Sequence, residues 1–382
     1  MAPNMTLPSA GFSSFGKAAP FWLSLGMVPL VVSGALFGGW TVILVPVYGY
    51  VLFSVLDSLL GLNATDADPD TPEDDLFWYR AITLAWAPIQ FVTLFWVIWY
   101  TARAEHLGTL ETIILFFGVG TMTGAIGIVY AHELMHQRSR QERWLADILL
   151  AMALYGHFRS EHLLVHHTAV GTPSDAVTAR YNESFPHFFR RVLRQCPRSA
   201  WTAETARLKK RGRDPLDPRN PFYRYAALQA AMLLLAVLLS GWTGLLLLLW
   251  QALVAIWLLE LTNYVEHYGL TRKYLGNGRF EHVKPHHSWN TSFKATNWLL
   301  INLQRHSDHH ARPDRPYPLL QAHGPDQAPQ LPHGYPLMGL MAMIPPLWRR
   351  KMNPRVRKWH AMYYPEITDW QPYRTGRHEE PA

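Results

Sequence analysis

Long, nearly uncharged apolar runs alternate with polar stretches along this chain. Runs of about 18 or more such residues match the hydrocarbon core of a bilayer, roughly 30 Å thick. On that reading there are six candidate spans, 21–37, 40–60, 81–101, 110–131, 225–239 and 243–262. Gly38-Gly39 turns the chain between the first two, and Ser240-Gly241-Trp242 between the last two. Residues 61–76 form an acidic connector with Asp66, Asp68, Asp70, Glu73, Asp74 and Asp75. Its start has the alternating aspartates of a calcium loop, but Thr71 and Phe77 replace the turn glycine and closing glutamate, so it reads as a solvated connector. Segments 132–224 and 263–382 are too polar to cross. The pattern predicts an all-α polytopic membrane protein: one integral membrane domain over 1–382, with six transmembrane helices under a histidine-rich cytoplasmic cap.

Charge sets the orientation. Of 35 lysines and arginines, 16 lie in 132–224 and 16 in 263–382, leaving Lys17, Arg80 and Arg103. With both termini inside, only Arg103 falls on the far side, which agrees with the excess of positive charge on cytoplasmic loops. The first twenty residues carry only Lys17 and no small-residue cleavage pattern, so the first run reads as a retained span. The lone Cys196 excludes an internal disulfide and any iron–sulfur or rubredoxin-type centre. Without a Gly-rich fingerprint between strand and helix, no nucleotide, flavin or nucleic-acid partner is expected.

This topology puts every histidine except His106 on the cytoplasmic side. Eight fall into three groups: His132 and His136; His162, His166 and His167; His306, His309 and His310. Positions i, i+3 and i+4 share a helix face, and neutral imidazole is the commonest side-chain metal ligand near neutral pH. His132 with His136, and His162 with His166, are expected to chelate as i, i+4 pairs, with His167 turned about 100° away. Eight nitrogens exceed what one zinc or iron takes, which implies a dinuclear centre. His267, leaving the last span at the depth of His132, would be a ninth ligand. Nitrogen-rich, open coordination suits an oxygen-activating redox metal, iron or copper. Glu133, Glu161, Glu266, Asp175 and Asp308 are close enough in sequence to orient rings by accepting their other N–H. Aromatic-rich spans (Trp22, Trp86, Phe91, Phe95, Trp96, Trp99) would deliver an apolar substrate from the bilayer.

His132-Glu133-Leu134-Met135-His136, the paired histidines at 162–167, Asn263-Tyr264-Val265-Glu266-His267-Tyr268-Gly269-Leu270 and Leu303-Gln304-Arg305-His306-Ser307-Asp308-His309-His310-Ala311 resemble the membrane alkane 1-monooxygenases. Glu183-Ser184-Phe185, Arg198-Ser199-Ala200-Trp201 and His287-Ser288-Trp289-Asn290 extend the likeness over most of the chain. The three histidine boxes alone are shared with xylene monooxygenases and fatty-acid desaturases. The resemblance implies a bacterial inner-membrane enzyme with two non-haem iron ions held by His132, His136, His162, His166, His167, His267, His306, His309 and His310. It implies hydroxylation of the terminal methyl of n-alkanes with O2. Electrons would come from a separate rubredoxin and its reductase, and the basic residues Arg349, Arg350, Lys351, Arg355, Arg357 and Lys358 would suit an acidic donor or membrane lipids. Gln137, Val165 and the segment Thr172–Ala176 depart from the usual family pattern, so an aromatic methyl substrate stays open.

Three other functions fit parts of this pattern. A desaturase of the same metal type would give an alkene. His132-Glu133-Leu134-Met135-His136 also fits the His-Glu-x-x-His pattern of zinc proteases, with Glu133 as general base, but that chemistry leaves about six histidines unused. A metal transporter would want ionisable residues along the helices themselves, and spans one to four have almost none.

Overall fold

The computed structural model describes residues 12–63 and 65–375; the stretch before residue 12 and the tail after 375 lie outside the described residues. Four helices, α1 (Phe15–Phe37), α2 (Gly39–Leu60), α3 (Glu73–Thr101) and α4 (Thr109–His136), are long and apolar enough to cross a membrane. The cap helices α5 (Arg140–Met152), α6 (158–169) and α7 (Phe185–Lys209) follow. A fifth apolar helix, α8 (Pro221–His267), has 47 residues. Straight, it would extend about 70 Å, more than twice a bilayer core. It is broken at Ser240 (φ −150°, ψ 19°) and Gly241 (φ 58°, ψ −144°), and the second of these is open only to glycine at little cost. Its two ends reach the cap, through Tyr225 to Ser160 and His267 to His306, while its middle meets Arg103, whose Nη2 donates to Leu239 O at 2.9 Å. The two arms cover the ranges expected for the fifth and sixth spans, 225–239 and 243–262.

Two boundaries move inward on the site. The fourth and sixth spans, expected to end at 131 and 262, continue without a break to His136 and His267. These two imidazoles therefore ride on helices long and apolar enough to cross a membrane. Helix α4 lies close against α8 because its glycines have no side chain in the way. A Cβ at Gly120 would stand 2.6 Å from Gln251 O, and one at Gly124 2.9 Å from the Ala255 backbone. Small residues at one spacing along a span permit such close approach.

The cap is completed by a two-stranded antiparallel hairpin, β1 (Tyr274–Gly276) with β2 (Arg279–Phe280), Tyr274 opposite Phe280 and Gly276 opposite Arg279. Asn277 and Gly278 both take positive φ, as a two-residue hairpin turn requires. Beyond it come α9 (Lys294–Leu299), α10 (His306–Ala311), α11 (Tyr335–Ala342) and α12 (Pro345–Tyr363).

Polar side chains tie spans to cap. Asp57, buried near the end of α2, accepts from Thr296 N (2.9 Å) and Thr296 Oγ1 (2.7 Å) of α9. The acidic connector is more than solvated loop: Asp66 accepts from the buried guanidinium of Arg305 at 2.8 Å, directly before His306. A buried charge needs such a partner, and no periodicity in the sequence marks the pair.

Candidate metal centre

The nine histidines converge. His132, His136, His162 and His309 form one group and His166, His267, His306 and His310 a second, each with mutually close ring nitrogens. The His167 ring stands against the first group, with its Nε2 2.9 Å from that of His162, 3.3 Å from His136 and 3.2 Å from His309.

The assignment within the second box differs from the expected i, i+4 pair. Residues His162–His166 form a widened π turn, in which hydrogen bonds run from i to i+5. The wider turn swings His167 round to meet His162 and sends His166 to the other group. Helix α10 also serves both groups: His306 and His310 face each other with Nε2 atoms 3.0 Å apart, whereas His309 turns to the first group. Adjacent residues 100° apart on a helix can reach two centres.

The separations fit a shared cation. Two nitrogens each about 2.1 Å from one ion at right angles lie about 3.0 Å apart. Within the groups the Nε2 contacts run 3.1 Å (His136–His162), 3.1 Å (His267–His306) and 3.0 Å (His306–His310). A neutral imidazole has one N–H and one lone pair, so three mutually touching Nε2 atoms cannot all be satisfied by one another. His132 Nε2 is buried with no hydrogen-bond partner. Such an atom is expensive inside a protein unless its lone pair binds an ion.

Burial pushes the imidazoles of His162, His167, His306, His309 and His310 well below 6.5, so they are neutral and ligation-competent at pH 7. The sign of the resulting pH dependence follows. In the unfolded chain these rings titrate near 6.5, so below that pH the unfolded state binds more protons. The metal-free protein should lose stability as pH falls from about 6.5 toward the depressed folded values. The expected slope is about 1.4 kcal/mol per pH unit for each ring that stays neutral. Thermal unfolding in detergent across pH 7.5 to 5 measures it, and a midpoint that stays flat across this range would contradict the burial of these rings.

The carboxylates expected to orient the rings have separate fates. Asp175 does so: its Oδ2 accepts from His166 Nδ1 at 3.0 Å, and it also takes Thr178 Oγ1 at 2.7 Å and Val177 N at 2.9 Å. Burial opposes its ionisation, but His166 and these donors outweigh it and hold the carboxyl below the usual range. With the proton on Nδ1, His166 aims its Nε2 lone pair at the second group. Asp175→Ala is expected to weaken metal binding 10- to 100-fold, the usual cost of losing such a partner. Chelator competition would read this, and an unchanged affinity would leave Asp175 only the role of closing the 172–178 turn.

Glu266 Oε1 accepts from Tyr335 Oη at 2.8 Å, and its Oε2 stands 3.4 Å from His306 Nε2, at the edge of the second group. Glu133 and Asp308 touch no metal-group ring. Glu133 takes Gln137 Nε2 (2.8 Å) and Tyr317 N (3.2 Å), which ties it away from the position a protease general base would need. Asp308 pairs with Arg315 at 2.6 Å and takes Gln321 N at 3.0 Å. Glu161 is buried with neither oxygen hydrogen-bonded; burial, with Asp175 and Glu260 near, raises its carboxyl well above the usual range.

Two features went unread in the sequence. Asn290 Oδ1 accepts from Ser307 N at 2.8 Å, fixing α10. Glu281, His286 and His287 form a third close group, built around Tyr364. His287 Nδ1 accepts from Lys284 N–H at 2.9 Å, so its proton sits on Nε2 and donates to Tyr364 Oη at 2.6 Å. His287 therefore has no lone pair left for a metal. This third group is a hydrogen-bonded knot that anchors the end of α12.

A cavity of about 100 Å³ runs between α2, α4 and α8 and ends on His132, His162 and His306. Along α4 it is lined from Thr121 to His132, about 16 Å at the helical rise. Met27, Gly49, Gly124, Ala125 and Leu258 face it; none of the six aromatic residues named on the spans does. Trp86, for example, is fully buried and donates to Gln90 Oε1 at 2.7 Å. Room in a tightly packed bundle comes from small side chains, and the glycines and alanine of span four were the readable sign.

Apolar spans capped by converging imidazoles define a multi-pass membrane protein with a histidine-built metal site. The fatty acid desaturase family model matches residues 109–341. Alkane 1-monooxygenase 2 of Pseudomonas aeruginosa is 40% identical over 335 residues, 87% of this chain and 88% of that protein. Alkane 1-monooxygenase 2 of Alcanivorax borkumensis is 36% identical, covering 94% of this chain and 93% of that protein. The xylene/toluene monooxygenase hydroxylase component XylM of Pseudomonas putida is 29% identical over 68% of this chain and 69% of its own length. The chain belongs to the alkane 1-monooxygenase family, and is an oxidoreductase of the monooxygenase type.

Proposed function

We propose that this protein hydroxylates the terminal methyl group of n-alkanes, consuming O2, two electrons and two protons to give a primary alcohol and water. Two iron ions would be held by the nine histidines, one by each group, with His167 beside the first. Bound there, the irons supply the activation of O2. A rubredoxin, re-reduced by its reductase, would deliver the electrons. The enzyme would lie in the bacterial inner membrane with both termini and the cap, 132–224 and 263–382, on the cytoplasmic side. The observation that carries this reading is the apolar cavity ending on His132, His162 and His306.

The side chains do the rest. The cavity walls exclude water and leave an entering chain little freedom except along the axis of α4, which presents its end carbon to the histidines. Asp175 keeps the His166 proton on Nδ1, and Tyr335 holds the Glu266 carboxyl at the edge of the second group. The stronger and longer likeness to alkane enzymes than to XylM favours a linear chain over an aromatic methyl group.

The test is turnover by purified, iron-loaded protein with rubredoxin, its reductase and NADH under 18O2. The expected product from octane is 1-octanol carrying one labelled oxygen. 1-Octene as product would make it a desaturase, and turnover of p-xylene but not octane would make it an aromatic-methyl hydroxylase.

A further inference from the structure

A second cavity, about 210 Å³, lies where α6, α7 and the start of α8 meet, and none of the clustered imidazoles lines it. Arg159, Arg207, Arg219 and Arg224 line it with Ser160 and Tyr225. Two buried carboxylates neutralise part of this charge. Asp147 takes Arg159 at 2.7 Å and Arg224 at 2.8 Å, and Glu204 takes Arg207 at 2.8 Å and Ser160 Oγ at 2.6 Å. Arg219 has only Asp217, at 3.8 Å, and its side chain is 69% exposed. Four guanidinium groups thus face three carboxylates, and Lys209, Lys210, Arg211 and Arg213 follow in the adjoining loop.

The rim is that of a membrane interface. The Arg224 guanidinium sits 5.2 Å over the Trp144 ring, Trp201 meets Phe222 edge to face at 5.1 Å, and Tyr223 is exposed beside the exposed Leu216. Tryptophan and tyrosine concentrate at headgroup depth. Leu163 and Leu164 supply an apolar wall. Cationic groups beside apolar wall and interfacial rings suit an amphiphile better than a small free anion, and basic pockets between cytoplasmic helix ends are where acidic headgroups bind.

We propose that this cavity seats the phosphate of an anionic glycerophospholipid, held by Arg207 and Arg219. The Arg207 side chain is 42% exposed and its guanidinium carries five N–H donors, so it can meet a phosphate while keeping its pair with the buried Glu204. Ser160, Leu163 and Leu164 lie in the same turns as His162, His166 and His167, so an occupied site stiffens the segment that carries three metal ligands. Bound lipid therefore couples to metal retention.

The experiment uses the full-length, metal-loaded protein in neutral detergent. Phosphatidylglycerol, phosphatidylcholine or inorganic phosphate is added, and binding is read by the shift of the thermal midpoint and by metal loss to a chelator. Wild type is compared with the double variant Arg207→Gln, Arg219→Gln; both side chains are well exposed, so the variant should match wild type in metal content without lipid. Phosphatidylglycerol should raise the midpoint and slow metal loss in wild type, and phosphatidylcholine should not. The double variant should need roughly 25-fold more phosphatidylglycerol, about fivefold for each basic side chain. Equal responses of variant and wild type, or none in either, would overturn the proposal. Inorganic phosphate reproducing the effect would mean a small-anion site and would overturn the lipid.

Discussion

His309→Ala should remove more than 100-fold of the hydroxylation activity and lower the metal content from about two ions per chain to about one, beyond the 10- to 100-fold that loss of an outer partner costs. His309 belongs to the group of His132, His136 and His162, and its Nε2 is 3.2 Å from that of His167. On the proposed assignment, removing it would open one coordination position, and it leaves a buried void in its place. The control is His286→Ala. His286 also sits in a close group with a histidine and a glutamate, but that group is knotted around Tyr364, with the proton of His287 committed to its hydroxyl. The control should keep both ions and lose only some stability in the cap. Elemental analysis of the two variants side by side decides the matter. Equal metal loss in both would mean that the third group is also a metal site and that the two-group assignment is wrong.

The second large effect concerns chain length. Ala125 lines the cavity seven residues before His132 on α4, about 10 Å from it along the helix. Ala125→Phe should fill the cavity at that level and leave the space near the histidines intact. Each methylene denied burial costs about 0.8 kcal/mol, or about fourfold. A chain deprived of four carbons should therefore lose roughly 200-fold in kcat/KM, while a chain short enough to end below residue 125 keeps most of its rate. Competition among alkanes of graded length in one assay reads the selectivity directly. A uniform loss at all lengths would mean that the substitution merely disturbs packing, and no loss at all would move the substrate path elsewhere.

Much of this architecture was legible in the residues themselves. Hydropathy and the placement of Lys and Arg point to a multi-pass protein with its histidines gathered at one face, because a bilayer imposes length and charge rules on every crossing segment. The break at Ser240-Gly241 was readable because 47 continuous helical residues cannot fit one crossing. The histidine boxes were readable because helical spacing puts i and i+4 together; His132 with His136 and His306 with His310 follow it. Asp175 was readable as an orienting carboxylate by its nearness in sequence, and the structure joins it to His166.

What tertiary structure decided is which rings share a centre and what each carboxylate touches. The sequence shows three boxes, but the division into two groups cuts through two of them, separating His162 from His166 and His309 from His310. A π turn is a backbone choice stabilised by surrounding contacts, and no local pattern announces it. Glu133 and Asp308, plausible from spacing, turn to Gln137, Tyr317 and Arg315 instead. Arg305 finds Asp66 across 239 residues, and the cavity opens where glycine and alanine on different helices face one another. These are relations between segments far apart in the chain. Periodicity reports only which face of a helix a residue occupies, and packing alone determines what that face meets.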